Sequence, residues 1–137
     1  MSDTMSPVDD EGPSPSMLDT TFSHPAPGVV LLAAAGEIDT LTAPRLDAAL
    51  ARLVDEAAST LVVDLTQVVF LASSGLAVLI EAAHRASGSG RALRLLVQGR
   101  PVLRALQITG TDQLFELHTD REAALLPDPE DRSAPHD

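Results

Sequence analysis

The sequence predicts a single α/β domain with a mainly parallel sheet of about four to five strands and helices packed on it. Continuous apolar runs of strand length alternate with segments of helical periodicity, and buried parallel strands have such runs. Hydrophobic residues make up 45% of the 137 residues, enough for one core. The three aromatic residues are all Phe, so that core must be packed from aliphatic side chains.

The first predicted elements are two strands and a helix. A short strand is predicted over 17–22, and a continuous apolar run predicts a second over 29–35. The short loop between them predicts that the first strand pairs antiparallel with the second. From Leu46 onward apolar residues recur in steps of three and one, which predicts a helix with Pro44 in its first turn and Thr42 as its cap.

The second half of the chain repeats this alternation. A β-branched strand is predicted over 60–65, followed by a helix that is marked by Leu76 and continues to about Ala86. The remaining predicted elements are a strand at 93–97, a helix opened by Pro101 and ended by Gly110, a strand at 114–117, and a short final helix capped by Asp120.

The charge of the chain is concentrated at its ends. Nine arginines, no lysine and twenty acidic residues give a formal charge of −11, which would repel nucleic acid or an anionic membrane. Residues 1–16 are predicted to be a disordered acidic arm rich in Pro and Ser, and residues 127–137 a disordered acidic tail. The arm carries −4 and the tail −3 of the total −11, which leaves −4 for one folded domain over 17–126.

Several classes of protein are not expected. The chain has no Cys, which excludes disulfides and thiolate sites. Its N-terminus lacks the basic start and apolar stretch of a signal peptide, and no apolar run has the length of a membrane span. We therefore expect a cytoplasmic protein without membrane insertion.

Two adjacent serines interrupt the most apolar stretch, VFLASSGLAVLI, where the third predicted strand leads into the second helix. In the structural interpretation one serine caps the helix, which typically contributes about 1 kcal/mol, and the other fills the turn. In the functional interpretation the hydroxyls are held on a rigid scaffold at a helix N-terminus. A phosphate added there would bring roughly −1.5 to −2 charges and interact with the free N–H groups and the helix dipole.

Three segments, in the right order, resemble the STAS-domain anti-sigma factor antagonist (anti-anti-sigma factor) family. The stretch LVVDLTQVVFLASSGLAVLIEAAHR resembles the family signature, an Asp-Leu strand followed by Phe-Leu/Met-Asp-Ser-Ser/Thr-Gly-Leu. AAAGEIDTLTAPRL resembles a second motif, a strand that ends in Gly-Glu-Ile/Leu-Asp before a helix. RALRLLVQGRPVLRALQITGTDQLFELHTDREAAL resembles the third part, so the likeness covers roughly residues 17–126.

The resemblance implies a switch operated by phosphorylation. In the family, the unphosphorylated domain binds an anti-sigma factor that is also a serine kinase, and the sigma factor is released. The kinase then uses ATP to phosphorylate the first serine of the motif, and a phosphatase restores it. By position, the implied phosphoacceptor is Ser73, with Ser74 as its neighbour and Gly75 allowing close approach of the backbone. The implied partner-binding residues are Gly36, Glu37, Ile38, Asp39, Thr40, Ala72, Ser73 and Ser74.

The resemblance also implies that the chain needs no cofactor of its own, because the ATP is used by the partner kinase. No metal is expected. The expected oligomeric state is a monomer or a weak dimer. Since loops that follow parallel strands leave a sheet at one edge, Asp39 and Ser73 are expected to share a face.

One position departs from the family pattern. Ala72 stands where the family has Asp, a carboxylate that could orient the serine hydroxyl in the kinase or shape the turn. The alternative function is therefore a STAS interaction module, in a transporter or another signalling complex, that binds its partner without a phosphate cycle.

Other signals point to structural roles. An enzyme is not expected, because ASSGL lacks the first Gly of a nucleophile elbow. His84 is predicted on a helix facing away from the serines and His118 after the last strand, and the four histidines have no metal-ligand spacing. GSGRAL is interpreted as a turn between helix and strand. A basic run is interpreted as solvated charges, with a partner contact as the alternative; it comprises Arg91, Arg94, Arg100 and Arg104.

Overall fold

The computed structural model describes residues 17–126, so the predicted arm at 1–16 and tail at 127–137 lie outside the described residues. The strands are β1 (Leu18–Ala26), β2 (Val29–Ile38), β3 (Thr60–Leu71), β4 (Leu93–Leu96) and β5 (Glu116–His118). The helices are α1 (Ala43–Asp55), α2 (Ser73–Gly88), α3 (Arg100–Thr109) and α4 (Arg121–Ala124), with a 3-10 turn at Asp112–Leu114.

The strands form one sheet in the order β1-β2-β3-β4-β5. Strand β1 is antiparallel to β2, and the pairs from β2 to β5 are parallel. The predicted fold class, including the antiparallel first strand, is confirmed.

Helices α1, α2 and α3 pack on one face of the sheet and α4 packs on the other. Because each parallel strand is added on the same side of the previous one, right-handed crossovers place the connecting helices on one face. The main core accordingly joins Leu46, Leu79 and Leu106 of these helices to alternate strand residues such as Leu32 and Val63. A smaller cluster on the opposite face joins Ala124 of α4 to Val29, Leu31, Val62 and Leu96.

Strand β3 is longer than the sequence predicts, since it extends to Leu71 instead of ending at residue 65. Its register with β2 shifts twice, between Ala33 and Ala35 and again between Gly36 and Glu37, and each time β3 contains one residue more. These bulges break the alternation of buried and exposed side chains, which is why the strand pattern in the sequence stops early. Strand β4 pairs with β3 only at residues 61–64 of β3, so β2 and β3 extend well beyond it.

Several predicted ends are confirmed and others are corrected. Gly110 ends α3 in the left-handed conformation, with φ 73°, and the Asp120 carboxylate accepts the Glu122 N–H at the start of α4. The last strand covers 116–118 instead of 114–117, because the preceding residues form the 3-10 turn. His118 is therefore the end of this strand and does not follow it.

Two residues of the predicted basic run are structural. The Arg91 guanidinium donates to the carbonyls of Val54, Glu56 and Ala58 at 2.7, 2.9 and 3.0 Å. These carbonyls belong to the end of α1 and the segment after it, where helical acceptors lack N–H partners. The interpretation of Arg91 as a solvated charge is therefore wrong.

The same interpretation is wrong for Arg94, which is buried on the α4 side of the sheet. Its guanidinium donates to the Glu116 carboxylate at 2.6 Å and to the carbonyls of Ala124, at 3.0 Å, and Leu126. Arg100 and Arg104, in contrast, are exposed and make no hydrogen bond or ion pair within residues 17–126.

Candidate functional site

The predicted site residues meet at the edge of the sheet where β2 and β3 end. Ile38 and Leu71 are register partners on these adjacent strands. The Ala72 N–H donates to the Ile38 carbonyl at 2.8 Å, which continues the pairing by one more residue. Asp39 and Ser73, the residues that follow, therefore leave the sheet side by side, as the sequence predicts.

Ser73 is the first residue of α2, and its side chain is exposed. Ala72 occupies the N-cap position with an extended backbone, φ −85° and ψ 166°, and α2 has no side-chain cap hydrogen bond among the described residues. The structural interpretation, in which one serine caps this helix, is wrong, because both serines lie inside its first turn. With the cap position filled by Ala72, the Ser73 hydroxyl is free for another role.

The two serines differ in accessibility. The Ser74 Oγ is buried and has no hydrogen-bond partner in the described part of the chain. An enzyme that transfers a group to a hydroxyl needs access to the oxygen, and Ser73 offers that access. The structure thus distinguishes two neighbouring residues that look equivalent in the sequence.

Gly75 allows the first turn of α2 to lie directly on the strand ends. A Cβ atom at this position would overlap the side chain of Ile38 and press on that of Leu71. The backbone of α2 at Gly75 thus packs closely against two side chains of the strand ends. It holds the serine turn at a defined distance from the end of β2.

Gly36 has a similar role one strand away. Its φ of 122° is a conformation that other residues rarely adopt, and a Cβ atom here would collide with the Met17 carbonyl. That carbonyl accepts the Glu37 N–H at 3.0 Å. Gly36 thus allows the chain before β1 to pack against the end of β2.

Asp39 is held by hydrogen bonds within the loop between β2 and α1. Its carboxylate accepts the N–H groups of Leu41 and Thr42, both at 3.0 Å. The Thr42 hydroxyl accepts the Asp39 N–H at 2.9 Å and donates to the Glu37 carbonyl at 2.8 Å. The loop, including exposed Thr40, is therefore fixed beside the serine turn.

Thr42 is a residue whose role the sequence analysis only partly identified. It occupies the N-cap position of α1 as predicted, yet its hydroxyl makes no cap hydrogen bond with a helical amide of the described chain. The reciprocal contact with Asp39 could have been suggested by their spacing of three residues. Thr42 supports the site through Asp39 and is itself buried.

The charge at this edge is negative. The Glu37 carboxylate makes no hydrogen bond or ion pair within the described range, and Asp39 lies two residues further along the chain. A phosphoryl group on Ser73 would bring roughly two more negative charges to the same edge.

Residues 17–126 contain neither a candidate metal site nor a helix suited to spanning a membrane. No group of three or more His, Asp or Glu side chains there could hold a metal ion. None of the helices in this range combines the length and the hydropathy needed for a bilayer span.

The fold and this edge define the class of protein. A family model described as the STAS domain matches residues 24–124. The chain therefore belongs to the STAS-domain family.

Particular relatives place it among the anti-sigma factor antagonists of this family. The chain is 33% identical to the anti-sigma-F factor antagonist RsfB of Mycobacterium tuberculosis over 98 residues. These residues make up 72% of this chain and 80% of the relative. A crystal structure of an anti-sigma factor antagonist from Mycobacterium paratuberculosis matches with a TM-score of 0.75 and 29% identity, over 90% of this chain and 98% of the other. The Bacillus cell fate determinant SpoIIAA in its phosphorylated form matches with a TM-score of 0.59 and 17% identity, over 77% and 96%, which shows a shared fold.

Proposed function

We propose that this protein is an anti-sigma factor antagonist that is switched off by phosphorylation of Ser73. It binds a kinase-type anti-sigma factor through the edge formed by the ends of β2 and β3, and the sigma factor is released. The two mycobacterial relatives are named as antagonists of anti-sigma factors, which supports this class of partner.

One observation carries the proposal. The exposed Ser73 hydroxyl lies at the N-terminus of α2, beside the loop that Asp39 orders, and the Ile38–Ala72 hydrogen bond joins the two turns. A partner that contacts one turn also contacts the other. A modification at Ser73 is therefore placed where it changes the charge of a docking surface.

The switch is a phosphoryl transfer from ATP held by the partner. The Ser73 Oγ attacks the γ-phosphorus, a new P–O bond forms, the bond to the ADP oxygen breaks, and the hydroxyl proton passes to a base of the kinase or to water. The product, with about −1.5 to −2 charges, is favoured by the amides and dipole of α2 but is repelled by Glu37 and Asp39. A partner surface that fits the unmodified serine would have to accommodate and desolvate the phosphoryl group, which weakens binding, and a phosphatase would reverse the change.

The test is incubation of the full chain with a panel of purified kinase-type anti-sigma factors and ATP, including the anti-sigma-F factor of Mycobacterium tuberculosis. Intact mass should show one added phosphoryl group, which is lost in Ser73→Ala and kept in Ser87→Ala, an exposed serine at the far end of the same helix. Phosphorylated protein should bind the anti-sigma factor more than about tenfold more weakly, because burying an ionised group in an interface that fits a hydroxyl costs several kcal/mol. Modification of Ser73→Ala to the same extent would contradict the proposal.

A second candidate rests on Ala72, which supplies no carboxylate beside the serine turn. In that case the protein is a STAS interaction module of a transporter or signalling complex, and it binds through the same edge without a phosphate cycle. Tight binding to an anti-sigma factor or another partner, with no phosphate added by any kinase of the panel, would favour this candidate.

A further inference from the structure

Large apolar side chains are exposed at the edge that carries Ser73. Val69 and Phe70, at the end of β3, are 63% and 50% exposed. Met17, directly before β1, is 50% exposed, and Leu41, in the loop that Asp39 orders, is 77% exposed. Exposed apolar residues that occur singly are ordinary, but a group at one edge of a domain is typical of an interaction surface.

The second bulge in β3 produces this exposure. Gly36 pairs with Val68 and Glu37 pairs with Phe70, which leaves Val69 without a register partner. As a result two consecutive residues, Val69 and Phe70, are exposed between the buried Val68 and Leu71. Without the extra residue, strict alternation would expose only one of them, and bulges commonly redirect side chains in this way beside functional sites.

Glu37 lies within this apolar group. Register partners on adjacent strands are about 4.8 Å apart, and both Glu37 and Phe70 precede buried residues, so their side chains project from the same face. Leu18, paired with Gly36, is buried, which places the preceding Met17 on that face as well. A row across β3, β2 and the start of β1 is thus formed by Phe70, Glu37 and Met17, with Val69 beside it. We call this row and Val69 the edge patch.

The charge of the edge patch selects among possible occupants. A second copy of the chain would bring one Glu37 towards another, in a protein whose formal charge is −11. Nucleic acid and anionic lipid would be repelled for the same reason. A protein surface with an apolar pocket and an adjacent basic side chain could bury Phe70 and form an ion pair with the Glu37 carboxylate. Phe and Met are also enriched at protein interfaces.

From these observations we infer that the edge patch is the main affinity determinant for the anti-sigma factor, with Phe70 entering an apolar pocket and Glu37 pairing with a basic residue of that partner. The inference rests on the proposed function. It assigns affinity to residues on the strands and leaves the switching to Ser73. Phosphorylation then controls a contact whose strength has a separate origin.

The experiment measures binding of full-length variants to the anti-sigma factor from the panel that binds the wild-type protein, by calorimetry at two salt concentrations. Phe70→Ser and Val69→Ser should each weaken binding, Phe70→Ser by more than about tenfold, because central aromatic residues dominate interface energies. Glu37→Gln should weaken binding and reduce its salt dependence. The matched control is Ile108→Ser, an apolar side chain 74% exposed at the far end of α3, which should leave binding unchanged.

Circular dichroism and thermal unfolding identify any variant that fails to fold, and Phe70→Leu provides a conservative second substitution that should keep most of the affinity. Unchanged binding of folded Phe70→Ser would overturn the inference and leave the proposed function intact. A wild-type dimer that Phe70→Ser converts to monomer would overturn it in favour of self-association. Failure of the wild-type protein to bind any anti-sigma factor of the panel would refute the proposed function and this inference together.

Discussion

At the residue scale, the serine pair shows how packing separates two identical side chains. Ser73 is exposed, whereas the Oγ of Ser74 is buried without a partner in the described residues. A buried hydroxyl that has lost its hydrogen bonds to water, and gains none in the protein, opposes folding. Gly75 acts in the other direction, since its missing side chain leaves room for Ile38 and Leu71 to pack against the first turn of α2.

This difference leads to a prediction on stability. Ser74→Ala removes the unsatisfied hydroxyl and should leave the free energy of unfolding unchanged or raise it by up to about 1–2 kcal/mol. Urea denaturation of the full chain measures the change. Ser87→Ala, an exposed serine of the same helix, is the control and should stay within about 0.5 kcal/mol. A loss of more than 1 kcal/mol in Ser74→Ala would show that its hydroxyl does have a partner.

At the scale of the element, α2 begins without a side-chain cap. The first helical hydrogen bond runs from the Leu76 N–H to the Ala72 carbonyl at 3.0 Å, so the amides of the three residues between them have no acceptor within the helix. Ala72 already has the extended backbone of an N-cap residue. The fold therefore tolerates an incomplete helix start at the site proposed for phosphorylation.

Ala72→Asp should complete this helix. A carboxylate at the N-cap accepts a first-turn N–H and interacts favourably with the dipole, so the free energy of unfolding should rise by about 1 kcal/mol. Thermal unfolding measures the gain. The control, Ala77→Asp, places the same charge on an exposed position of α2 beyond the cap and should give no gain. Equal effects at both positions would mean that the cap is not the cause.

At the scale of the whole molecule, Arg94 connects the last elements of the fold to the sheet. It lies on β4 inside the sheet, and its guanidinium bonds to Glu116 of β5 and to the carbonyls of Ala124 and Leu126 at the end of the described chain. Three acceptors, one on β5, one at the end of α4 and one just after it, depend on one buried cation. Arg94 therefore holds the end of α4 on the sheet by hydrogen bonds, as the apolar cluster that includes Ala124 does by packing.

Arg94→Ala should cost about 2 kcal/mol, because it leaves the buried carbonyl of Ala124, the partly buried carbonyl of Leu126 and the half-exposed carboxylate of Glu116 without their donor. The loss should appear as a lower midpoint in urea denaturation, together with faster amide exchange in α4. Arg104→Ala, an exposed arginine on α3, should change stability by less than about 0.5 kcal/mol. Similar small losses in both variants would show that Arg94 does not hold α4 in place.

The boundary between what could be read from the sequence and what could not follows the range of the interactions. The helical steps from Leu46, the glycine stop at Gly110 and the apolar run in β2 are local patterns, and the structure confirms the elements they predict. The juxtaposition of Asp39 and Ser73 also followed from the sequence, because the topology of parallel strands brings their ends to one edge. The interpretation of Arg91 and Arg94 as solvated charges is wrong, because the local pattern around a charged residue carries no sign of its distant acceptors.

The linear chain thus contained the order of its strands and helices, the identity of the serine turn and the negative charge near it, since each is a property of neighbouring residues. The folded chain added the exposure of Phe70, the burial of the Ser74 hydroxyl and the enclosure of Arg94. Each of these depends on register or packing between segments that are far apart in the sequence. A bulge exists only relative to a partner strand, so no pattern within β3 could have shown it.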